Sequence, residues 1–383
     1  MPDFSLTDEQ SAFQRLAHEF AQKEIVPVAA HYDRTAEFPW PIVEKAHEVG
    51  LMNPNVPAEY GGPGLSLFEE ILINEELAWG CAGISASLTI NNVAALPLLI
   101  AGTEEQKKRY LGLLARERQM TAYAVTEPNA GSDAAAIQTK AKRVGDEYIL
   151  SGTKQFITNA SIANFYIVFA VTDRAAEHKG ISAFIVERDW PGVEPGRKDD
   201  KMGQRASNTA QLILEEVRVP KQNLLGREGE AFKIAMAAFD RSRPGTGIFA
   251  VGVARRAMEE AVKYAGERKT FGVPIGQHQA IQFKIADMAM QIQAARWLCW
   301  HAAWLADQGR RSSREASMAK CFGADVAVQV TSEAVQIFGG YGYVKDYVVE
   351  KLYRDAKVFQ IYEGTSEIQR TIIARDVLQG SAH

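Results

Sequence analysis

The sequence lacks the features that mark several common classes of protein. Its 383 residues carry 43 Lys and Arg against 47 Asp and Glu, a net charge of -4, so no basic surface for nucleic acid is indicated. The three cysteines form no C-x-x-C pair, which excludes a disulfide framework and a zinc knuckle. The seven histidines show no metal-binding spacing. We therefore expect neither a nucleic-acid partner nor a metal.

Membrane and secretion patterns are also missing. The longest apolar run, residues 93–101, is interrupted by Pro97 and is about half as long as a membrane span. Residues 1–9 are acidic and lack the basic and apolar regions of a secretion signal. The expectation is a cytoplasmic protein of bacterial type that does not insert into a membrane.

Three segments of the chain differ in pattern. Residues 1–118 show helical periodicity that starts at a capping box, Thr7 to Gln10. Residues 119–226 consist of short β-branched and aromatic runs separated by turn signals, which is typical of antiparallel β structure. Residues 227–383 return to long helical segments, interrupted near residues 268–278 and 338–342. The sequence thus predicts a helical, a β and a second helical domain.

A single carboxylate stands among apolar and aromatic residues near the C-terminus. Glu363 follows Phe359, Ile361 and Tyr362. Loss of water destabilises the charged form, which raises the pKa of the carboxyl toward the range in which it can take a proton from carbon. A structural role is the alternative, because residues 366–369 resemble a capping box and acids near a helix N-terminus are stabilising. The segment alone leaves both interpretations open.

Two segments of the middle domain could contact a flat polar ligand. Residues 123–133 leave a strand and end in a loop of small and hydroxyl residues, whose backbone N–H groups are unobstructed. Phe156 and Thr158 share one face of a strand, so that a ring and a hydroxyl lie side by side. An ordinary strand exit and a half-buried strand face explain the same patterns, and both interpretations stay open.

A basic segment between two helical regions is the third candidate. Arg268 and Lys269 stand beside Thr270, and two cations with a hydroxyl suit a pyrophosphate. The same residues could instead end a helix favourably against its dipole. Residues 245–250 match G-x-G-x-x-A, but no strand precedes them, so we reject a dinucleotide-binding Rossmann unit. No nucleophile elbow of the G-x-S-x-G type is present.

The whole chain resembles the acyl-CoA dehydrogenases, most closely the medium-chain and short-chain type. Two segments carry most of the resemblance: AYAVTEPNAGSD at residues 122–133 and QIYEGTSEIQR at residues 360–370. The resemblance implies a mostly α fold with an N-terminal helical domain, a small antiparallel β barrel or sandwich, and a C-terminal four-helix bundle. It also implies FAD bound between domains and across a subunit contact, in a homotetramer built as a dimer of dimers.

Carried over position by position, the resemblance implies three groups of site residues. Glu363 is the implied catalytic base. The implied substrate contacts are Ser132, Asp240, Ser242, Arg243, Tyr362 and Gly364. The implied FAD contacts are Tyr123, Val125, Thr126, Gly131, Ser132, Phe156, Ile157, Thr158, Arg268, Thr270, Phe271, His278, Gln279, Gln336, Ile337, Gly339, Gly340, Thr365 and Glu367.

The implied reaction is α,β-dehydrogenation of an acyl-CoA to a trans-2-enoyl-CoA. Glu363 removes the α-proton while a hydride leaves the β-carbon for flavin N5, and hydrogen bonds stabilise the charge that develops on the thioester oxygen. Electrons then pass to an electron-transfer flavoprotein. Phe156 replaces the Trp of the medium-chain type, a change seen in other members. Ser242 stands where isovaleryl and long-chain types place their base, which agrees with Glu363 as the base and leaves Asp240 as the nearby competitor.

The segment from Cys81 to Ala101, which lines the acyl tail in the family, contains no charged residue. Members that act on glutaryl-CoA need an Arg here, because an unpaired buried charge is costly. We expect an uncharged aliphatic acyl tail of open length. An acyl-CoA oxidase is one alternative, against which the missing extra C-terminal domain argues. A non-catalytic binding or assembly protein is another, against which Glu363 argues.

Overall fold

A computed structural model describes residues 5–380 of the chain; the start of the acidic stretch 1–9 and the end of the third segment lie outside this range. The N-terminal segment is helical, as predicted. The Thr7 hydroxyl accepts the Gln10 N–H at 3.2 Å, and the Gln10 side chain accepts the Thr7 N–H at 3.1 Å, which confirms the capping box. The helices are α1 (Asp8–Phe20), α2 (Ala29–Thr35), α3 (Trp40–Glu48), α4 (Leu67–Gly80), α5 (Ala82–Ala101), α6 (Glu104–Gln106) and α7 (Gly112–Arg116).

Helix α5 runs through the interior of this segment. It is a continuous helix of 20 residues that includes Pro97, so the expected interruption of the apolar run at that proline is wrong. By length and composition α5 could cross a membrane, but about two-thirds of its most apolar window is buried inside the protein. Burial against α4 and α8 explains its apolar composition.

The middle segment forms one eight-stranded sheet within residues 5–380. Its strands are β1 (Thr121–Ala124), β2 (Lys140–Val144), β3 (Glu147–Thr158), β4 (Phe165–Val171), β5 (Ile181–Glu187), β6 (Val193–Lys198), β7 (Thr209–Pro220) and β8 (Leu224–Leu225). The order is β6-β7-β3-β2-β4-β5-β8, with β1 beside β4. Most pairs are antiparallel, as predicted, but β1 and β2 each pair with β4 in parallel.

The C-terminal segment is a bundle of long helices. It contains α8 (Ala231–Glu267), a hairpin of β9 (Lys269–Thr270) and β10 (Val273–Pro274), α9 (Gln279–Asp307), α10 (Ser313–Phe338), α11 (Val349–Ala356) and α12 (Ser366–Leu378). Helices α8 and α10 touch backbone to backbone, because a Cβ added at Gly323 would lie 2.8 Å from the Gly247 carbonyl oxygen. Residues 245–250 lie inside α8, which confirms that they are not a Rossmann loop.

The three segments meet at helix α11. Gln204, in the loop between β6 and β7, donates its N–H to the Asp355 carboxylate of α11 at 2.5 Å. Lys351 of α11 donates to the same carboxylate at 2.5 Å and to Cys81 Sγ, next to the start of α5, at 3.2 Å. Hydrogen bonds from all three segments therefore hold α11, the helix that leads into the turn before α12.

Candidate active site

Glu363 lies in the turn between α11 and α12 and faces α8. Its Oε2 accepts a hydrogen bond from Ser242 Oγ of α8 at 2.7 Å. Glu363 has a left-handed backbone, with φ of 57°, and Gly364 follows with φ of 87°. Such a conformation is rare for a residue with a side chain, and it aims the carboxylate at α8 rather than along the turn.

The surroundings of Glu363 favour its protonated form. Burial raises the pKa of Glu363 above its ordinary value, and the hydrogen bond from Ser242 together with the cations of Arg243 and Lys320 opposes that rise only in part. The side chains of Arg243 and Lys320 are almost completely buried. A carboxyl with a raised pKa is suited to proton transfer near neutral pH.

Side chains from two helices hold the turn itself. Lys320 Nζ of α10 donates to the Gly364 carbonyl oxygen at 2.5 Å. Gln369 Nε2 of α12 donates to the carbonyl oxygens of Glu363 and Gly364, each at 3.0 Å. Helix α12 is capped by Thr365, whose hydroxyl accepts the Ile368 N–H at 3.3 Å, so the predicted cap at residue 366 is one residue too late.

Most of the predicted substrate-contact residues gather around Glu363. Arg243 donates to the Asp240 carboxylate at 3.2 Å and is buried, whereas its Nε has no partner among the described residues. Asp240 also accepts a hydrogen bond from the Ser313 hydroxyl of α10. Tyr362 precedes Glu363 in the turn, and its hydroxyl accepts from Gln204 at 3.5 Å. Ser132 lies elsewhere, at an exposed position of the middle domain.

Tyr123 connects this cluster to the β domain. Its ring packs edge-on against Phe169 and Phe239, with centroids 5.2 Å and 5.7 Å away. Its hydroxyl is buried and has no partner within the described part of the chain. Burial, and then the charge of Glu363, raises the pKa of Tyr123 well above its ordinary value. The strand that begins the predicted flavin loop therefore ends beside the carboxylate.

The structure brings the two predicted segments of the middle domain together. The Thr126 carbonyl oxygen accepts the Gln155 N–H at 2.9 Å, and Lys154 Nζ donates to the Val125 carbonyl oxygen at 3.0 Å. The buried Lys154 also pairs with Glu127 at 2.8 Å, which anchors the loop to β3. The Val125 and Ile157 side chains lie in the core, so these two residues offer only backbone groups to a ligand.

Phe156 and Thr158 form an open platform. A register shift between Lys154 and Ile157 places Phe156 at φ of 58°, and its ring is 64% exposed. Thr158 lies on the same side, since the intervening Ile157 points into the core. Gly131 has open space where a Cβ would stand. An open ring and hydroxyl beside a loop without side-chain obstruction fit the isoalloxazine of FAD.

A second set of the predicted FAD contacts lies outside the middle domain, on the C-terminal helices and the hairpin between α8 and α9. Thr270 and His278 are hydrogen-bonded at 3.0 Å, and the Arg268 guanidinium lies over the Tyr341 ring, 5.7 Å from its centroid. Phe271 has φ of 51° and is 98% exposed. The rest of this set is Gln279 at the start of α9, Gln336 and Ile337 near the end of α10, Gly339 and Gly340 after it, and Thr365 and Glu367 at the start of α12.

Sequence analysis missed two buried charges near the site. Lys320 holds the Gly364 carbonyl but stands in an ordinary helical pattern that gives no sign of this contact. Glu70 of α4 accepts a hydrogen bond from Asn92 of α5 at 3.0 Å, so a carboxyl lies against a lining segment that itself contains no charge. A charged residue at a core-facing position of α4 was the available signal.

Comparison with known proteins identifies the family to which this fold belongs. The acyl-CoA dehydrogenase N-terminal domain family matches residues 7–118, the middle domain family residues 122–217, and the C-terminal domain family residues 229–378. The class is thus that of oxidoreductases with an α, β, α architecture around a flavin. The chain belongs to the acyl-CoA dehydrogenase family and is an acyl-CoA dehydrogenase.

Individual relatives align along almost the whole chain. An acyl-CoA dehydrogenase of Bacillus subtilis is 46% identical over 377 residues, 98% of this chain and 100% of the relative. The mitochondrial short-chain specific enzyme of Bos taurus is 44% identical over 98% of this chain and 91% of its own. A 3-(aryl)acrylate reductase of Clostridium sporogenes is 46% identical over 97% and 99% of the two chains.

Solved structures agree with this placement. Butyryl-CoA dehydrogenase from Megasphaera elsdenii superposes with a TM-score of 0.96 at 42% identity, over 98% of this chain and 100% of its own. A chain from work on the electron transferring flavoprotein of Acidaminococcus fermentans gives a TM-score of 0.97 at 47% identity, over 99% of this chain and 100% of its own. An FAD-dependent dehydrogenase gives a TM-score of 0.92 at 29% identity, over 98% of this chain and 99% of its own. The last of these relatives is thus described as dependent on FAD.

Proposed function

We propose that Glu363 is the general base that removes the α-proton of an uncharged aliphatic acyl-CoA, which is thereby oxidised to the trans-2-enoyl-CoA. The supporting observation is its geometry: a desolvated carboxyl, hydrogen-bonded to Ser242 at 2.7 Å, in a turn that α10 and α12 hold rigidly. Asp240 is the weaker candidate, because Arg243 and Ser313 already engage its carboxylate.

The backbone of the same turn can stabilise developing charge. The Glu363 N–H donates to no acceptor among the described hydrogen bonds, and it is available for the thioester oxygen. A donor fixed in place before the reaction costs no reorganisation when negative charge appears on that oxygen. The acyl chain would also displace water from Glu363, which raises the pKa of the base further.

The middle-domain loop and β3 would hold the flavin. The flavin ring would be surrounded by backbone groups of Tyr123, Val125 and Ile157 and by the side chains of Thr126, Ser132, Phe156 and Thr158. The open space at Gly131 would let the ring approach the loop. FAD supplies the hydride acceptor of the reaction when bound. A second group of residues would hold the remainder of FAD, in part from a neighbouring subunit: Arg268, Thr270, Phe271, His278, Gln279, Gln336, Ile337, Gly339, Gly340, Thr365 and Glu367.

The domain boundaries at 118/119 and 226/227 and the cytoplasmic location stay predictions.

The acyl tail would be uncharged. Helix α5 contributes no charged side chain, and α4 adds the carboxyl of Glu70 against Asn92. A second carboxylate at the end of the substrate would meet the carboxyls of Glu70 and Asp307, against which Arg241 supplies a single positive charge, and an incompletely balanced buried charge is costly. Glutaryl-CoA would therefore be a poor substrate.

An exposed apolar row on α9 supports the proposed homotetramer. Phe283, Met290, Trp297 and Trp304 recur every seventh residue and are exposed in the single chain. A helix face of large apolar residues at a heptad spacing is typical of a helix-to-helix interface. The electron acceptor would be an electron-transfer flavoprotein, as suggested by the relative studied with such a protein.

An anaerobic titration of flavin absorbance tests this proposal. Butyryl- and octanoyl-CoA should bleach the purified protein, whereas glutaryl-CoA should not. Glu363→Gln should keep FAD and bind product, yet lose reduction by several orders of magnitude, because the base is removed. Asp240→Asn removes the competing carboxyl and should still allow acyl-CoA to reduce the flavin. Retained reduction in Glu363→Gln would transfer the role to Asp240, and a protein that never bleaches would be a binder.

Two further measurements distinguish the other candidate enzyme activities. Turnover with O2 as fast as with an artificial dye would indicate an oxidase. Faster reduction of an aryl acrylate than oxidation of any acyl-CoA would indicate the activity named for the Clostridium sporogenes relative, in which the same carboxyl would return a proton to carbon.

A further inference from the structure

A polar cluster of Glu70, Asn74 and Asn92 lies in the apolar region between α4, α5 and α8. Glu70 Oε1 accepts from Asn92 Nδ2 at 3.0 Å and from Asn74 Nδ2 at 3.5 Å. Glu70 is 9% exposed, and each asparagine is 2% exposed. The Oδ1 atoms of both asparagines have no hydrogen-bond partner in the described part of the chain. The cluster is therefore buried but incompletely satisfied.

The polar cluster lies within one helix turn of the residue that contacts the proposed base. Ser242, which donates to Glu363, and Gly245 are three residues apart in α8 and share a face. A Cβ added at Gly245 would find, among the described residues, only Asn74 Nδ2 within 4 Å, at 3.8 Å. Glycine thus leaves space beside Asn74, roughly 4.5 Å along the helix from Ser242. An acyl chain that ran from Glu363 past Ser242 along α8 would meet this space.

The unpaired groups of the polar cluster are hydrogen-bond acceptors. A buried acceptor without a donor costs about 1–3 kcal/mol, so a ligand that brings a donor is favoured there. A hydroxyl brings one donor and two acceptor lone pairs, which suits a carboxyl and two amides. Burial raises the pKa of Glu70 to about 7, so near neutral pH this carboxyl itself can both donate and accept.

The charges around the polar cluster disfavour an ionic ligand. Arg241 acts on Glu70 from α8, and a second cation there would meet its positive charge. Asp307, at the end of α9, adds a negative charge that acts on Glu70, and this charge opposes a carboxylate ligand. The neutral hydroxyl is the donor that meets neither repulsion.

We propose that the polar cluster recognises a hydroxyl group on the acyl chain, so that the substrate class is a hydroxylated aliphatic acyl-CoA. The proposal deepens the proposed function and rests on it, because it takes the thioester as the ligand of Glu363. The hydroxyl donates to Glu70 or to an asparagine Oδ1, and the open space beside Gly245 accommodates the carbon that bears it.

The test compares matched thioesters on the FAD-loaded protein. Hexanoyl-CoA and its 4-, 5- and 6-hydroxy derivatives are assayed anaerobically with an artificial electron acceptor. At least one hydroxylated chain should exceed hexanoyl-CoA by tenfold or more in kcat/KM. Glu70→Leu should lower that ratio by at least tenfold. Glu69→Gln on the same helix is the matched control, because Gln can still accept the Ser66 N–H that Glu69 accepts at 2.9 Å, and it should leave the ratio unchanged.

A second variant keeps the test decisive if Glu70→Leu fails to fold or to retain FAD. Glu70→Gln preserves an acceptor and removes the charge, so it should keep the hydroxyl preference while admitting glutaryl-CoA more readily than the parent.

The outcomes separate the two proposals. The hydroxyl subsite is overturned if kcat/KM is equal for all four thioesters and neither Glu70 variant changes the ratio of hydroxylated to unsubstituted chain. The polar cluster would then be assigned to the binding of buried water. In that case the proposed function stands, because hexanoyl-CoA is still oxidised. Failure of the parent to oxidise any of the four, hexanoyl-CoA included, overturns both.

Discussion

Removal of the Ser242 hydroxyl should displace the pH dependence of catalysis. Ser242 Oγ donates to Glu363 Oε2 at 2.7 Å, and this bond stabilises the ionised form of the base. A hydrogen bond to a charged group contributes about 1.5–3 kcal/mol, which is roughly 10- to 150-fold in the equilibrium between the two protonation states. In Ser242→Ala the pKa of Glu363 should therefore rise further.

The effect should depend on pH in a defined way. At acidic and neutral pH, Ser242→Ala should lose about 10- to 150-fold in kcat/KM, because less of the base is ionised. At alkaline pH, above the raised pKa, the rate should recover toward the parent value, since the ionised carboxylate and its turn are intact. The measurement is the full pH profile of kcat/KM in the anaerobic dye assay, for parent and variant.

Ser317→Ala is the matched control for this experiment. Ser317 of α10 is a buried serine whose hydroxyl has no partner within the described residues, so its removal should leave the profile unchanged. A uniform loss across all pH values would show that Ser242 acts on geometry or folding rather than on ionisation. An unchanged profile would refute the assignment of Glu363 as the titrating base.

Two predictions concern stability. Because burial raises the pKa of Glu70 from 4.5 to about 7, the folded protein binds this proton more tightly than the unfolded chain, and its stability falls as pH rises between these values. Glu70→Gln should remove that pH dependence. Measured by chemical denaturation, the variant should gain on the order of 3 kcal/mol in the free energy of unfolding above pH 7 and little below pH 4.5. An equal gain at both pH values would show that the ionisation of Glu70 is not the cause. Lys154→Met leaves the Glu127 carboxylate buried without its cation, and should lose about 3–5 kcal/mol in the free energy of unfolding; a loss below about 1 kcal/mol would show that the pair is dispensable.

Local sequence patterns predicted the architecture because they report on short-range structure. The capping box at Thr7, the β-branched runs of the sheet and the absence of a strand before Gly245 all depend on neighbours in sequence. The errors were non-local. Pro97 continues α5 because packing on both sides outweighs the preference of proline. The parallel partner of β1 lies more than forty residues later in the chain, at β4, where no local pattern announces it.

The candidate site divides in the same way. The burial of Glu363 and the raised pKa of its carboxyl could be predicted, because Tyr362 and Phe359 are close to it in sequence. Lys320 and Glu70 could not be found, because their contacts join residues 44 and 22 positions apart. Their chemistry appears only when α10 meets the turn and α4 meets α5. Patterns of one helix indicate which face is buried, but not which buried groups face each other.

The left-handed backbone of Phe156, Phe271 and Glu363 has a consequence for engineering. With φ of 58°, 51° and 57°, each stands in a conformation that costs of order 1–3 kcal/mol for a residue with a side chain. A screen for heat resistance alone would reward glycine at these positions, since glycine relieves that cost. Under the proposed function such variants would be more stable to heat and less active, so a programme for a more stable catalyst should exclude these three codons from its library.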